Sequence, residues 1–197
     1  MRIRGNPETR TLEVAEKIYG ILEKLGVEAA VIGAMALAVH RYVRFTRDFD
    51  LAIHKDPFLV LHEIQREVKK AVPGIQTDIR LPDQDDPLGG VLEITGKGFK
   101  PVQVVNFLNP LSPKGTSLGQ EAIHEARPGL IENSRMRVVK LPHLIALKLY
   151  SGGAKSRNDV VELLERNQPL DLGAIRDVCT RHGLSKELEA ILEELRL

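Results

Sequence analysis

The sequence feature that most constrains the fold is a glycine at the end of one apolar run, followed by an Asp-x-Asp pair at the start of the next. Gly33 precedes Asp48 by 15 positions, and Asp50 follows two residues later. Carboxylates two apart on a strand project from the same face, where a divalent cation relieves their repulsion. Mg²⁺ suits such a pair because it is usually held by one or two carboxylates together with phosphate oxygens of a substrate, and Mn²⁺ is the alternative ion. The pattern therefore predicts metal-assisted chemistry on a phosphate compound.

The overall charge does not indicate a polyanionic partner. The chain has 197 residues, enough for one large domain or two small ones, with 28 basic and 27 acidic side chains. This balance provides no general attraction to nucleic acid or to a membrane surface, so any contact with nucleic acid would have to be a local patch. Cys179 is the single cysteine, which excludes an intrachain disulfide. Because the sequence shows neither a signal-peptide pattern nor a long apolar run, we expect a cytoplasmic protein with no membrane partner.

Hydrophobic periodicity predicts alternating helices and strands in the first half of the chain and mainly helices in the second. The predicted elements of the first half are helices over 7–25 and 34–42 and from residue 56 to 72, and strands over 28–32, 49–54, 75–81, 91–95 and 101–108. Those of the second half are a short strand over 135–139, helices over 142–150 and 156–166, and two further helices capped by Asp171 and Ser185. The Pro/Ser/Gly-rich segment 110–119 is the best candidate boundary. We therefore predict an α/β (α+β) domain at 1–110 and a mainly helical C-terminal domain at 111–197.

Two sequence blocks resemble motifs of the nucleotidyltransferase superfamily. The first is Gly33 together with Arg44-Phe-Thr-Arg-Asp-Phe-Asp50, which is similar to a glycine turn followed by an Arg-x-Thr-x-Asp-x-Asp strand entry. The second is Leu144-Ile-Ala-Leu-Lys-Leu149 with Ser156-Arg-Asn-Asp159, and the two blocks bracket most of the chain. The sequence resembles in particular the small prokaryotic nucleotidyltransferase-like proteins that include the abortive-infection toxins.

This resemblance implies both a fold and an activity. The implied fold is a nucleotidyltransferase-like mixed sheet flanked by helices, with a helical C-terminal region. The implied activity is a Mg²⁺-dependent (or Mn²⁺-dependent) transfer of a nucleoside monophosphate from a nucleoside triphosphate to an acceptor hydroxyl. The implied acceptor is an RNA end or a protein side chain, and a toxin role with an antitoxin partner follows from the resemblance alone.

The first block contains the candidate metal and phosphate ligands. Asp48 and Asp50 are candidate catalytic residues that would hold metal ions, which in turn bind the attacking and leaving oxygens. The alternative is that the two residues form the solvated end of a strand. The apolar Leu51-Ala-Ile53 that follows makes the strand half buried, so two carboxylates there are costly without a cation. Gly33 and Ala34 would bring backbone N–H groups close to a triphosphate, and the alternative is an ordinary strand-to-helix turn.

Four polar side chains complete the candidate nucleotide-binding site. Arg44 and Thr46 share the strand parity of Asp48 and could steady phosphate or orient the metal ligands; the alternatives are a surface arginine and a strand-favouring threonine. For Lys148 the resemblance implies a catalytic lysine that reaches the nucleotide phosphates. The alternative is a lysine on the solvent-exposed face of its helix, with its aliphatic stem packed along the surface. For Asp159 the choice is between a nucleotide contact and a residue in the first turn of a helix.

Two residues depart from the superfamily pattern. Ala34 stands where a second glycine or a serine is usual, so a hydroxyl donor to phosphate is missing. Gln103 stands at the expected position of a third carboxylate, and a neutral amide binds Mg²⁺ more weakly and cannot act as a general base. Glu93 on the preceding strand could compensate. These departures leave open an alternative function, a catalytically degenerate protein of this fold that binds nucleotide, RNA or a protein partner.

The sequence lacks the patterns of several other site types. Its six histidines are scattered, without the spacing of a structural zinc site. Neither a Walker loop nor a Gly-x-Ser-x-Gly elbow is present. Phosphate chemistry at the Asp-x-Asp pair remains the leading prediction.

Overall fold

The computed structural model describes residues 7–112, 117–129 and 131–197, which form eight helices and one five-stranded sheet. The helices are α1 (Pro7–Lys24), α2 (Gly33–Val39), α3 (Pro57–Ala71), α4 (Leu118–Glu125), α5 (Leu141–Ser151), α6 (Gly153–Arg166), α7 (Leu172–Arg181) and α8 (Ser185–Leu195). The strands are β1 (Ala29–Val31), β2 (Phe49–Ile53), β3 (Ile75–Arg80), β4 (Val91–Gly96) and β5 (Val102–Asn106). This arrangement confirms the predicted α/β class with a helical C-terminal region.

The sheet is mixed, with the strand order β1-β2-β5-β4-β3. β2 and β5 run parallel, whereas the other neighbouring strands run antiparallel. β2 therefore has a hydrogen-bonded strand on each side, and its Leu51 and Ile53 are fully buried. The Asp-x-Asp pair at the start of β2 consequently lies at the end of an interior strand and not at a sheet edge.

Apolar helix stripes cover the sheet and form the core. α1 contacts β1, β2 and β5, and α3 contacts β3 and β4, while the two helices also pack on each other. In α3, Leu61, Ile64 and Val68 are fully buried, as the helical spacing of the apolar residues predicts. Asp56 caps this helix by accepting the N–H of Phe58 at 3.0 Å.

A carboxylate hub joins three helices of the second half. Glu121 on α4 accepts from His143 Nε2 of α5 at 3.1 Å and from His182 Nε2, at the end of α7, at 2.9 Å. Arg181 Nη2 donates to the same carboxylate at 2.5 Å. Burial opposes the charge of Glu121, but these donors, Arg181 first, outweigh it and lower its pKa to about 2. Two histidines that are scattered in the sequence thus converge, and the hub anchors the helix that carries Lys148.

Several predicted elements differ from the structure, and α6 begins at Gly153 instead of residue 156. α2 is shorter than predicted because Arg41 adopts a φ of 65°, a left-handed conformation in which a helix cannot continue. Segment 135–139 forms no strand and contributes only isolated bridges of Val138, one to Val31 of β1 and one to Arg127. Ser185 is the first residue of α8, and the preceding Leu184 occupies the cap position without a side-chain hydrogen bond. Local sequence patterns do not predict these features because each is set by a backbone conformation or by a tertiary contact.

The predicted domain boundary at 110–119 falls partly on residues 113–116, which lie outside the described part of the chain. α4 begins at Leu118 and packs on β1 and β2, so the C-terminal helices are joined directly to the sheet. The division into domains at 1–110 and 111–197 stays a prediction. In the described ranges, none of the helices combines the length and the apolar character that crossing a bilayer requires.

Candidate active site

Gly33 forms a left-handed elbow against the carboxylate of Asp50. β1 ends at Val31, and the N–H of Ile32 donates to the carbonyl of Asp50 at 3.1 Å, which holds the elbow on β2. Gly33 has a φ of 63°, and a Cβ placed on it would lie 1.9 Å from Asp50 Oδ2. Only glycine satisfies both the conformation and the space. The predicted glycine turn and the Asp-x-Asp strand therefore lie against each other.

Asp48 and Asp50 are half-buried on one face of β2, and Phe49 between them is buried on the other. Burial, and then the charge of Asp48, raise the pKa of Asp50 to about 6, although Lys148 and Arg44 act in the opposite direction. A carboxylate pair whose negative charge is only partly compensated fits a divalent cation. Asp48 and Asp50 would hold this ion, with phosphate oxygens of a substrate completing its ligands.

Thr46 orients Asp48. Its hydroxyl donates to Asp48 Oδ1 at 2.7 Å. A hydrogen bond to one carboxylate oxygen fixes the side-chain rotamer and leaves the second oxygen available for a cation, which is how neighbours of metal ligands commonly act. Of the two predicted roles of Thr46, orientation of a metal ligand is the one that this geometry supports.

A buried carboxylate joins Arg44 and Lys148. Asp159, which is 1% exposed, accepts from Arg44 Nε at 2.9 Å and from Arg44 Nη2 at 3.1 Å. Its Oδ2 lies 2.9 Å from Lys148 Nζ. Arg44 precedes β2, Lys148 lies on α5 and Asp159 lies on α6, so this ion-pair triad ties three parts of the chain together. Asp159 lies in the second turn of α6, which begins at Gly153, and the predicted first-turn position is therefore wrong.

The strand beside β2 places an amide next to the carboxylate pair. The parallel register pairs Asp50 with Gln103 on β5, and the antiparallel register pairs Gln103 with Glu93 on β4. Gln103 Nε2 donates to Glu93 Oε2 at 3.0 Å. This register confirms the predicted neighbouring-strand position of Gln103 and puts Glu93 one strand further from Asp50. Among the residues that the structure describes, no group of three or more Asp, Glu, His or Cys side chains has the arrangement of a metal site.

Two cavities lie beside the Gly33 elbow, one on the side of Lys148 and the other on the side of Asp48. The first, of about 560 Å³, is lined by Ile32, Gly33, Pro87, Leu88, Phe107, Leu144, Leu147, Lys148, Tyr150 and Ser151. The second, of about 350 Å³, is lined by Glu8, Thr11, Leu12, Ala34, Met35, Ala38, Val43, Arg44, Phe45, Thr46, Asp48, Phe49 and Lys100. Both volumes lie within the usual range for small-molecule sites. The consecutive residues Gly33 and Ala34 line one cavity each, so the elbow separates the two cavities. Asp48 lines the second cavity, whereas Asp50 and Asp159 line neither.

Two exposed apolar residues at the second cavity were not predicted as site residues. Val43 and Phe45 are 81% and 78% exposed, and Lys100 Nζ lies 5.5 Å from the centroid of the Phe45 ring, a cation–π distance. The alternation of these two residues with Arg44 and Thr46 was the available sequence signal. Lys100 follows β4 and is brought to this place only by the tertiary fold.

Comparison with known proteins identifies the fold. No protein-family model matches the sequence, and no curated protein is significantly similar to it. A crystal structure of a candidate nucleotidyltransferase from Thermotoga maritima is 17% identical, with a TM-score of 0.52 over 80% of this chain and 94% of that chain. A crystal structure of an antigenic nucleotidyltransferase-like protein from Paracoccidioides brasiliensis is 15% identical, with a TM-score of 0.51 over 94% of each chain. The chain therefore has the nucleotidyltransferase fold, as the Gly33 and Asp48-x-Asp50 motifs predict.

Proposed function

We propose that this protein is a metal-dependent nucleotidyltransferase that uses its Asp-x-Asp pair for nucleotidyl transfer. The observation that carries the proposal is the contact between the Gly33 elbow and the carboxylate of Asp50, with Asp48 on the same face of β2. A phosphate chain at the elbow and a cation on the two carboxylates would then be direct neighbours. The fold supports this use of the site but does not by itself determine it.

The nucleoside triphosphate occupies the cavity that contains Gly33 and Lys148. Its phosphates lie at the elbow, where the first N–H groups of α2 have no acceptor within the helix, and Lys148 supplies positive charge. Leu144 and Leu147 provide apolar walls for the base. In this placement Lys148 is a catalytic residue, while Gly33 and Ala34 bind phosphate through the backbone.

The transfer step is an in-line displacement at the α-phosphorus. A Mg²⁺ or Mn²⁺ ion, when bound, withdraws charge from the phosphate oxygens and so favours attack by the acceptor oxygen. Asp48, held by Thr46, and Asp50 position that charge at the elbow. The acceptor hydroxyl forms the new P–O bond, its proton passes to water, and pyrophosphate leaves.

The acceptor enters the second cavity, where Asp48 forms part of the wall and Phe45 lies exposed at the side. The family resemblance implies an RNA end or a protein side chain as the acceptor. A toxin role with an antitoxin partner rests on that resemblance alone. The toxin role predicts growth arrest when the protein is expressed. The product of a neighbouring gene should release the arrest, and an Asp48→Asn variant should cause none.

The test of the proposed activity is pyrophosphate release from each of the four nucleoside triphosphates with Mg²⁺ or Mn²⁺, in the presence of RNA or protein extract. We expect release that requires the cation and that Asp48→Asn reduces about a hundred- to a thousandfold, a loss of the order seen when a principal electrostatic group is removed. Asp171→Asn is the matched control because it makes the same substitution at the cap of α7, where asparagine also caps well. Equal turnover by Asp48→Asn would refute the proposal.

The second candidate function is a catalytically degenerate protein that binds nucleotide, RNA or a protein partner. Two observations favour it, Gln103 in place of a third carboxylate beside Asp50 and Ala34 in place of a hydroxyl donor. This alternative predicts nucleotide binding that Asp48→Asn leaves unchanged, together with no release of pyrophosphate under any of the conditions above.

A further inference from the structure

Asp159 holds two cations, Arg44 and Lys148, whose charges also act on Asp50. Its carboxylate is almost fully buried and is engaged by Arg44 and by Lys148, at 2.9 Å in each case. Among the described residues, Asp159 is the carboxylate that pairs with Lys148. A carboxylate that is almost fully buried and already engaged by two cations is poorly placed to bind a ligand itself, so its effect must pass through its partners.

Lys148 can reach the carboxylate pair if it is released. Lys148 and Gly33 line the same cavity, and Gly33 lies directly against the Asp50 carboxylate. The ammonium group sits on a flexible four-carbon stem, and a half-buried ammonium group without an anionic partner is unfavourable. Without Asp159, the half-buried Asp50 becomes the nearby anion for it, and an ammonium group on Asp50 would occupy the place of a divalent cation.

Arg44 is held more independently of Asp159. Its side chain also donates from Nη1 to the carbonyl of Phe45 at 3.3 Å, and its planar guanidinium has five donors in a fixed geometry. Loss of Asp159 therefore leaves Arg44 with a remaining partner. Lys148 is the more mobile of the two cations and the stronger competitor for Asp50.

We infer that Asp159 keeps the carboxylate pair open for a divalent cation by holding Lys148 away from Asp50. Asp159 is a positioning residue, which touches neither the cation nor the nucleotide. The inference rests on the proposed function, because it requires that Asp48 and Asp50 hold a metal ion. It assigns to Asp159 a role different from nucleotide binding.

The test is the affinity for Mn²⁺ alone, measured by the electron paramagnetic resonance signal of free Mn²⁺ and without nucleotide. Asp159→Asn should weaken binding about 10- to 100-fold, the usual effect of losing a residue that supports metal ligands. Adding Lys148→Met to Asp159→Asn should restore the wild-type affinity, because the competing ammonium group is then gone. Restoration that exceeds the gain in affinity that Lys148→Met gives in the wild-type background would not follow from a merely structural role of Asp159.

A matched pair of double variants covers the case in which Asp159→Asn alone does not fold. Asp159→Asn with Lys148→Met and Asp159→Asn with Arg44→Met each leave one of the two cations unpaired. The first should bind Mn²⁺ at least about tenfold more tightly than the second, and equal affinities would overturn the inference.

If the wild-type protein shows no saturable Mn²⁺ binding that Asp48→Asn removes, the proposed function itself fails. If the wild type binds and the folded Asp159→Asn variant binds equally well, only the role of Asp159 is refuted.

Discussion

Asp50 and Gln103 lie side by side on the parallel strands β2 and β5, and the side-chain amide of Gln103 donates to Glu93 at 3.0 Å. The position that could add a third negative charge to the candidate metal site thus carries a neutral group, which is already hydrogen bonded to the next strand. The site consequently offers a cation two carboxylates, and its other ligands must come from the substrate and from water.

We expect Gln103→Asp to strengthen the binding of Mn²⁺ about tenfold, because the charge and number of the oxygen ligands set the affinity for hard cations. Mn²⁺ titration of the nucleotide-free protein measures the change. Gln103→Asn is the matched control, since it has the size of aspartate without its charge, and it should leave the affinity unchanged or lower it. An equal affinity of the aspartate and asparagine variants would show that position 103 does not face the ion.

Gly33→Ala should destroy the site as well as strain the backbone. The new Cβ would lie 1.9 Å from Asp50 Oδ2, so the carboxylate or the elbow must move, and we expect Mn²⁺ and nucleotide binding to fall below detection. The left-handed conformation alone should lower the free energy of unfolding by about 1 kcal/mol, as measured by urea denaturation.

Gly26→Ala separates these two effects. Gly26 has almost the same φ, 65°, but apart from its own chain neighbours no heavy atom of the described residues lies within 4 Å of a Cβ placed there. It should therefore show the loss of about 1 kcal/mol in stability with unchanged ligand binding. If both variants bind alike, the elbow does not form part of the site.

Thr46→Val should weaken Mn²⁺ binding about tenfold, because it removes the hydroxyl that orients Asp48 and keeps the side-chain shape. The hydrogen bond from Thr46 to Asp48 Oδ1 is 2.7 Å long. Thr46→Ser preserves the hydroxyl and should bind Mn²⁺ like the wild type. A valine variant as good as the serine variant would mean that Asp48 needs no such support.

Asp50 should make a contribution to the stability of the metal-free protein that decreases as the pH rises from about 4 to about 7. Burial, then the charge of Asp48, raise the pKa of Asp50 from 3.8 to about 6, so the folded protein binds more protons than the unfolded chain in this interval. The contribution of Asp50 to the free energy of unfolding should therefore decrease by about 1 to 3 kcal/mol across it.

Urea denaturation of the wild type and of Asp50→Asn over this pH range measures that contribution together with its coupling to Asp48, because titrating groups that do not interact with Asp50 cancel in the difference. The asparagine variant should gain stability relative to the wild type as the pH rises. Mg²⁺ or Mn²⁺ at pH 7 should stabilise the wild type and leave Asp50→Asn unaffected. A difference between the two proteins that is independent of pH would contradict the raised pKa.

The local pattern around β2 was predictable because strand geometry is periodic. Asp48 and Asp50 had to share a face once Phe49 was buried, and a glycine at a strand end had to make the turn. The position of Gln103 on the adjoining strand was implied by the superfamily resemblance, and the register of β2 and β5 agrees with it. The end of α2 was not predictable, since it depends on the left-handed conformation of Arg41, which arginine adopts only where the surrounding structure requires it.

The sequence by itself determined the order of strand, glycine turn, helix and strand, because each element follows from a local pattern of apolar and turn-forming residues. The contact of Gly33 with Asp50 was expected from the superfamily resemblance, and the pairing of β1 with β2 produces it. The tertiary structure alone decided the partner of Asp159, which is 115 positions from Arg44. A contact over that separation depends on how α5 and α6 dock beside the sheet. Such docking is set by the sum of many apolar contacts, and no short motif encodes it.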